Sequence, residues 1–371
     1  MTFRCLKIAK FMSKRKPLTS HNPITLIYVG GTFGSHGKPL TPLPADTFSE
    51  LMTTHLSKLP VTIDWKNGVW VKDSSQLTPQ DFMALYTQIL NLYADGNRQF
   101  VVITGTDTLS YLGAFLSEAF AGSDICLILT ASMKPLFDAN VVADTVDDYV
   151  IDGTSDAWQN LNDAAGLAMH GETGVKIAMA GEAWHAQTVQ KIHSHDLMAF
   201  SGHFRAGYPA TSYGKVLPPQ RRGHWVDDSM AKLEAIQSRA DTARIHTVYC
   251  VPNDANLLAE QLQTIANQPA SGVILLGFGA GNIPQSEAVA TALDALYEAG
   301  HLVVCTTQCP YGGVSDAYAS GNWQYEHHVL SGGRLTIPAI YARLLWLTLA
   351  FEPPARRRQR WTYTVNHKPT R

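Results

Sequence analysis

Short apolar runs that end in glycine, threonine or serine recur along the first half of the chain. The first two runs cover residues 25–29 and 100–103, and later runs cover 125–129 and 175–180. These runs are rich in β-branched and aromatic residues and do not alternate strictly with polar residues. This pattern is typical of strands buried on both faces of a parallel sheet.

Segments with apolar residues at helical spacing lie between these predicted strands. The clearest helix start is at Thr78, an N-cap residue followed by Pro79 in the first turn and by the acid Asp81 near the positive end of the helix dipole. The same helix is expected to end at Asp95-Gly96. Further helices are predicted after Asp46, from Leu109 onwards, and over residues 155–169. Strands that alternate with helices in this way predict a parallel sheet covered on both sides.

A second, smaller α/β unit follows after a region in which the apolar period fades. The predicted fold is an α/β protein of two domains, a larger doubly wound, mostly parallel sheet domain and a smaller α/β domain. The predicted organisation is a basic extension over 1–22, an α/β domain with the active site over 23–205, a linker over 206–244, a smaller α/β domain over 245–354, and a basic tail, expected to be solvated, over 355–371.

Composition narrows the classes of protein without naming one. The formal net charge of -2 gives no reason to expect nucleic acid or an anionic membrane as a partner. The five cysteines are scattered, with no matching cluster for a metal site, so we expect no metal and a reduced, cytoplasmic compartment. The most apolar stretch, 337–351, is interrupted by Pro338 and Arg343, which predicts a packed helix rather than a membrane span.

Three predicted strands end in side chains that can do chemistry. Thr32 follows the first strand, Asp73-Ser74-Ser75 follows a strand predicted near 69–72, and Thr106-Asp107 follows the strand at 100–103. Because the carboxyl ends of parallel strands lie along one edge of a sheet, these groups can converge on one crevice. A threonine hydroxyl is a weak nucleophile and needs a polarising network, which a lysine and an acid can provide. The Gly-x-Ser-x-Gly segment of serine hydrolases is absent.

Two of these strand ends resemble the signature segments of the bacterial-type L-asparaginases, in order along the chain. They are Val29-Gly30-Gly31-Thr32-Phe33-Gly34 and Gly105-Thr106-Asp107-Thr108-Leu109-Ser110-Tyr111. The segment 72–82 is similar to the substrate-pocket segment of the cytoplasmic, type I branch. The similarity continues through 155–160, 277–284 and 307–309, and covers roughly residues 24–351.

The resemblance implies a two-domain asparaginase fold and hydrolysis of L-asparagine to L-aspartate and ammonia without a metal or an organic cofactor. Thr32 would be the nucleophile that forms a covalent aspartyl ester. Thr106, Asp107 and Lys191 would form a second constellation that handles protons, with Lys191 placed by the segment Thr188-Val189-Gln190-Lys191. Substrate-binding residues would be Asp73, Ser74, Ser75, Asp107 and, from the segment 277–284, Asn282. The family also implies a homodimer or homotetramer with a site completed at a subunit contact.

The loop after Gly34 departs from the family pattern. Family members carry a tyrosine there that closes over the substrate, whereas this chain has Lys38 at roughly that place and prolines at 39 and 42. Lysine has no hydroxyl and cannot pass a proton in the same way. The candidates to replace the tyrosine are Ser35, His36 and Thr41. An unusual insertion, polar and acidic, is expected between Met133 and Ser155.

Two other functions remain as alternatives. The first is a catalytically weak protein that binds an amide or amino acid on the same scaffold, which the changed loop keeps open. The second is a dinucleotide-binding protein that uses 30–34 as a phosphate cradle, which is disfavoured because the pattern is not Gly-x-Gly-x-x-Gly. The related archaeal tRNA-dependent amidotransferase component is also disfavoured, since no additional amino-terminal domain is expected before Ile24.

Overall fold

The computed structural model describes residues 6–7, 23–143, 145–202, 222–315 and 319–365, which divide into two compact units. The N-terminal unit contains the described residues up to 233, and the C-terminal unit contains those from 234 onwards. This is the two-domain α/β fold that the sequence predicts. The individual domain boundaries stay predictions.

A seven-stranded sheet forms the centre of the N-terminal unit. Its strands are β1 (Leu6–Lys7), β2 (Ile24–Gly30), β5 (Ile63–Lys72), β6 (Gln99–Ile103), β7 (Cys126–Thr130), β8 (Gly174–Met179) and β9 (Glu182–His185). They lie in the order β1-β9-β8-β7-β6-β2-β5. The five strands from β8 to β5 are parallel, β9 pairs antiparallel with β8, and β1 pairs antiparallel with β9.

Helices cover both faces of this sheet, because its strands are apolar on both sides. The helices that form the two layers are α1 (Ala45–Leu56), α2 (Pro79–Ala94), α3 (Leu109–Ala119) and α4 (Ala157–His170). One core is built from α1 and α4 against alternate residues of β2 and β6, such as Leu26, Tyr28 and Val101. The aromatic rings of Phe82 on α2 and Phe115 on α3 pack 5.5 Å apart between centroids on the other layer.

The predicted start of α2 is confirmed in detail. The Thr78 hydroxyl accepts from the Asp81 backbone N–H, and the Asp81 carboxylate accepts from the backbone N–H of Thr78, which completes a capping box. The carboxylate also contacts Lys72 Nζ at 2.6 Å, and Lys72 is the last residue of β5. This ion pair therefore joins the end of β5 to the beginning of α2 across the segment 73–77.

The C-terminal unit has a four-stranded parallel sheet with helices on both faces. Its elements are β12 (Ile245–Tyr249), α6 (Ala255–Ala266), β13 (Gly272–Gly277), α7 (Glu287–Glu298), β14 (Leu302–Thr307), α8 (Ala319–Glu326), β15 (Leu330–Ser331), α9 (Ile337–Ala350) and α10 (Pro354–Val365). The strand order is β12-β13-β14-β15, with α6 and α7 on one face and α9 and α10 on the other. The packed helix predicted at 337–351 is confirmed as α9, and no helix among the described residues is long and apolar enough to span a membrane.

Several predicted irregular regions are ordered. The loop after Gly34 forms a small hairpin of β3 (Ser35–His36) and β4 (Thr41–Pro42), and two short strands, β10 (Gln190–Lys191) and β11 (Phe200–Ser201), form a second one. The strand predicted near 69–72 is longer than expected, since β5 begins at Ile63, and β9 was not predicted. Of the predicted extension 1–22, residues 6–7 pair with β9, and the rest lies outside the described residues.

The predicted linker and tail also contain helices. Residues 222–240 form α5 (Arg222–Ala240), whereas 206–221 lie outside the described residues. The prediction of a solvated basic tail over 355–371 is wrong for Arg357 and Trp361, which are buried, whereas Arg356 and Arg360 are exposed. Trp361 is 1 % exposed in the core between α9 and the sheet, and its indole N–H donates to the Ser331 carbonyl oxygen at 3.1 Å. The prediction was based on the charge of the arginines and did not take account of the apolar side chain of Trp361.

We predict that Asp81→Asn destabilises the protein by about 1–3 kcal/mol at pH 7. Partial burial pushes the pKa of Asp81 up, but the hydrogen bonds from Lys72 and Thr78 outweigh it, so this pKa lies below the usual value. A carboxyl group whose pKa is lowered in the folded state stabilises the protein at pH values above its unfolded-state pKa. This contribution is lost as the pH falls through the folded-state pKa. The difference from wild type in urea titrations should therefore shrink between pH 7 and pH 3.

The matched control is Asp64→Asn. Asp64 pairs with Lys66 at 3.0 Å, but both side chains are more than a third exposed, so its loss should cost about 0–1 kcal/mol at pH 7. Equal losses for the two variants, or an Asp81 effect that persists unchanged at pH 3, would contradict the account.

Candidate active site

The strand order places a crevice beside β2. Strand β2 lies between β5 and β6, and the chain leaves β2 towards β5 on one side and returns to β6 on the other. Ligands of open α/β sheets bind at the carboxyl ends of the strands where the order reverses in this way. Thr32 follows β2, Asp73 follows β5, and Thr106 follows β6, so all three are at this edge.

Two glycines let these strand ends approach each other. A Cβ atom on Gly31 would lie 2.3 Å from the Gly105 Cα atom, and a Cβ atom on Gly105 would lie 2.4 Å from Ser74 Oγ. Gly31 also has a φ of 87°, which residues with side chains rarely adopt. The two positions therefore require glycine, and their contact brings the three loops together.

A cavity of about 240 Å³ opens at this contact within the N-terminal unit. It is lined by Gly31, Thr32, Ser35, Leu40, Pro42, Asp73, Ser74, Gly105, Thr106, Asp107, Met133, Lys191 and Ser194. Six of the eight predicted site residues are among them. No group of three or more histidine, cysteine or acidic side chains in the described ranges is arranged to hold a metal ion.

Lys191 contacts both polar residues that follow β6. Its Nζ atom lies 2.9 Å from Thr106 Oγ1 and 2.8 Å from Asp107 Oδ1. Thr106 is 7 % exposed, whereas the Asp107 side chain is 58 % exposed towards the cavity mouth. Lys191 belongs to β10, which is held in place by pairing with β11. It lies 85 residues further along the chain than Thr106. The sequence match alone gave no distance for this contact.

The loop after β5 is tied to the loop after β6 through Ser74. The buried Ser74 hydroxyl accepts from the backbone N–H of Asp107 at 3.2 Å, and its carbonyl oxygen accepts from the Thr108 hydroxyl at 2.8 Å. The Asp73 carboxylate accepts from both the backbone N–H and the hydroxyl of Ser75, each at 2.8 Å. Ser75 therefore supports Asp73 and is not among the residues that line the cavity.

Asn282, the eighth predicted residue, belongs to the C-terminal unit. It lies in the turn after β13, where its carbonyl oxygen accepts from the Phe278 backbone N–H at 2.7 Å. Its side-chain oxygen is buried without a hydrogen-bond partner among the described residues. Its part in substrate binding stays a prediction.

The hairpin of β3 and β4 forms one wall of the cavity, and of the three candidates to replace the tyrosine, Ser35 lines the cavity whereas His36 and Thr41 do not. Leu40 and Pro42 line the cavity, whereas Lys38 lines a neighbouring cavity instead. The Ser35 hydroxyl donates to the Gly31 carbonyl oxygen at 2.9 Å, and the Thr41 hydroxyl points to the Pro39 carbonyl oxygen at 3.4 Å.

Sequence reasoning missed Met133 and Ser194 as cavity residues. Ser194 comes three residues after Lys191, so its proximity could have been inferred once Lys191 was placed. Met133 follows β7, the next strand along the same sheet edge, and the strand-end rule that found Thr106 also applies to it.

Comparisons with known proteins cover most of the chain. The family model for the N-terminal domain of asparaginase matches residues 23–216, and the model for the glutaminase/asparaginase C-terminal domain matches residues 244–359. The chain is 28% identical to the L-asparaginase of Thermococcus kodakarensis over 282 residues, 74% of this chain and 76% of the relative. It is 26% identical to L-asparaginase 1 of Escherichia coli, with 74% and 75% covered.

Structural comparison gives the same fold. The solved thermostable L-asparaginase from Thermococcus kodakarensis superimposes with a TM-score of 0.69 at 22% identity, covering 94% of this chain and all of that one.

A more distant relative by sequence, 24% identical over 74% of this chain and 62% of its own length, is a component of the glutamyl-tRNA(Gln) amidotransferase of Aeropyrum pernix. Two family models that together match more than half of the residues, and a fold shared over almost the whole length, lead to one conclusion: the chain belongs to the asparaginase family.

Proposed function

We propose that the protein is an L-asparagine amidohydrolase that forms L-aspartate and ammonia through a covalent ester on Thr32. The observation that carries the proposal is the double contact of Lys191 Nζ with Thr106 and Asp107, in the same cavity as Thr32. Two threonine hydroxyls, one next to a lysine, are a suitable arrangement for acyl transfer with proton relay. The relatives named as L-asparaginases support asparagine as the substrate.

The reaction has two balanced steps. In the first, Thr32 Oγ1 attacks the carbon of the substrate carboxamide, the C–N bond breaks, and the proton from the hydroxyl passes through Thr106 and Lys191 to the departing nitrogen, which leaves as ammonia. In the second, water attacks the ester carbon, Thr32 recovers its proton, and L-aspartate leaves. Asp107 keeps the Lys191 amine oriented towards Thr106 in both steps, because it holds Nζ at 2.8 Å.

Substrate binding would use the remaining groups at the cavity mouth. The carboxylates of Asp73 and Asp107 suit the ammonium group of an amino acid. Backbone N–H groups at the glycine-rich turns would stabilise the oxyanion that develops during attack. Assembly into a homodimer or homotetramer, with Asn282 completing a site, is proposed from the family resemblance.

A second candidate is a protein that binds an amide or amino acid and turns it over slowly. The observation that favours it is that the hairpin brings Ser35, Leu40 and Pro42 to the cavity and no tyrosine, and that the Ser35 hydroxyl already donates to the Gly31 carbonyl oxygen. Ammonia release from L-asparagine, L-glutamine and D-asparagine, compared with binding of each by calorimetry, separates the two candidates. Binding without ammonia release would favour the second.

We predict that Thr32→Ala and Thr106→Ala each lower kcat for L-asparagine at least about 100-fold, a loss of ~3 kcal/mol in transition-state stabilisation. Each variant removes a hydroxyl that is used in acyl or proton transfer. The matched control is Thr53→Ala on the exposed face of α1, where the hydroxyl donates to the Ser49 carbonyl oxygen. It should keep its rate within about twofold, since surface substitutions rarely change a distant site. A Thr32 or Thr106 variant that keeps a tenth of the rate would rule out its assigned role.

We also predict that Lys191→Met is about as inactive as Thr106→Ala, and that the double variant is hardly worse than either. Residues that act as one unit lose their joint contribution once, so their effects do not multiply. Single-turnover rates of the three variants measure this directly. Multiplying defects would place Lys191 outside the proton-handling unit. The control for loss of a positive charge is Lys66→Met. Lys66 lies near the start of β5, at the opposite end of the strand from Asp73.

A further inference from the structure

One wall of the cavity, the β3–β4 hairpin, lies outside the seven-stranded sheet. It follows the turn of Thr32 directly, and its strands pair through Ser35 with Pro42 and His36 with Thr41. Leu40 lines the catalytic cavity on one side and a second cavity of about 300 Å³ on the other. The hairpin therefore lies between two cavities, and its position affects how far the catalytic cavity is covered.

His36 connects this hairpin to a separate part of the chain. Its Nε2 atom lies 3.1 Å from the carbonyl oxygen of Asp138, and its ring centroid lies 4.8 Å from that of Tyr149. Since a carbonyl oxygen can only accept, Nε2 must carry the proton and donate it in this hydrogen bond. The imidazole of His36 therefore combines a polar contact with a ring contact at the base of the hairpin.

The segment that His36 contacts is itself anchored. Phe137 and Ile151 form an antiparallel bridge, and the Asp138 backbone N–H donates to the Val150 carbonyl oxygen at 2.8 Å. Phe137 is 1 % exposed, and its ring packs against that of Tyr149 at 5.5 Å between centroids. The insertion predicted between Met133 and Ser155 therefore contributes Phe137 to the core, and it offers an anchored surface to the hairpin.

The same segment also holds the turn that carries Thr32. The backbone N–H of Leu136 donates to the carbonyl oxygen of Phe33 at 3.0 Å, and the backbone N–H of Leu43, just after the hairpin, donates to that of Gly34 at 2.8 Å. The residue pair before the hairpin is therefore bonded to the segment, and the two ends of the hairpin are bonded to each other. Among the described contacts, His36 is the side chain that ties its first strand to the segment around Asp138 and Tyr149.

We propose that His36 is a positioning residue that holds the β3–β4 hairpin over the active-site cavity by its contacts with the Asp138 carbonyl group and Tyr149. The proposal rests on the proposed amidohydrolase function for its kinetic consequence. Without His36 the covered conformation is populated for a smaller fraction of the time, so the apparent affinity for substrate falls by that fraction. Saturating substrate restores the covered state, so kcat changes little.

The kinetic test uses His36→Ala and Tyr149→Ala with L-asparagine. Each should raise KM at least about threefold while kcat stays within about twofold, and the double variant should resemble the singles because both remove one contact. His36→Phe keeps a ring against Tyr149 but loses the donor, and should lie between wild type and His36→Ala. The control is His55→Ala, because the His55 ring also packs near Phe137 but lies on α1, outside the hairpin. It should leave KM unchanged.

Hydrogen exchange separates this proposal from the proposed function. Mass spectrometry of the free protein should show faster amide exchange in peptides covering 35–43 for His36→Ala but not for His55→Ala, whether or not the protein hydrolyses any amide. Unchanged exchange in 35–43 would overturn the proposal. Faster exchange with an unchanged KM would also overturn it, since the hairpin would then move without affecting the substrate.

Discussion

The candidate active site depends on one close backbone approach, that of Gly31 to Gly105. Any side chain at Gly31 would place its first carbon 2.3 Å from the Gly105 Cα atom, so a substitution must push the ends of β2 and β6 apart. Thr32 and Thr106 are the next residues along each strand end, and their separation is set by this contact. The placement of the two threonines in one cavity therefore depends on two residues that have no side chain.

The parts around this contact are held by short bonds between neighbouring loops. Ser74 joins the loop after β5 to the loop after β6, and the ion pair of Lys72 and Asp81 fixes the loop after β5 to helix α2. Lys191 then adds a charge that is balanced locally by Asp107. Preorganisation of this kind lowers the cost of placing groups at the moment of reaction. The hairpin, by contrast, lies outside the seven-stranded sheet and is held through the Ser35 hydroxyl on Gly31, through backbone hydrogen bonds at Phe33 and Gly34, and through His36.

The features of the fold that depend on local sequence pattern could be predicted from the sequence. The buried strands, the cap of α2 at Thr78 and the polar strand ends at Thr32 and Thr106 follow from apolar spacing and turn chemistry. What it could not predict depends on distant partners. Strand β9 is only four residues long and forms by pairing with β8, and α10 is held by burial of Trp361 beneath a run of arginines. The family resemblance named Lys191, but the contacts with Thr106 and Asp107 come from folding across about 85 residues.

The central claim is that Thr32 carries the acyl group. Rapid acid quenching of the wild-type protein with saturating L-asparagine, followed by proteolysis and mass spectrometry, tests it most directly. The account predicts an added aspartyl group on the peptide that contains Thr32, formed before the steady state and lost when substrate is exhausted. An aspartyl group on Thr106 or another residue, or full turnover with no modified peptide at any quench time, would contradict it.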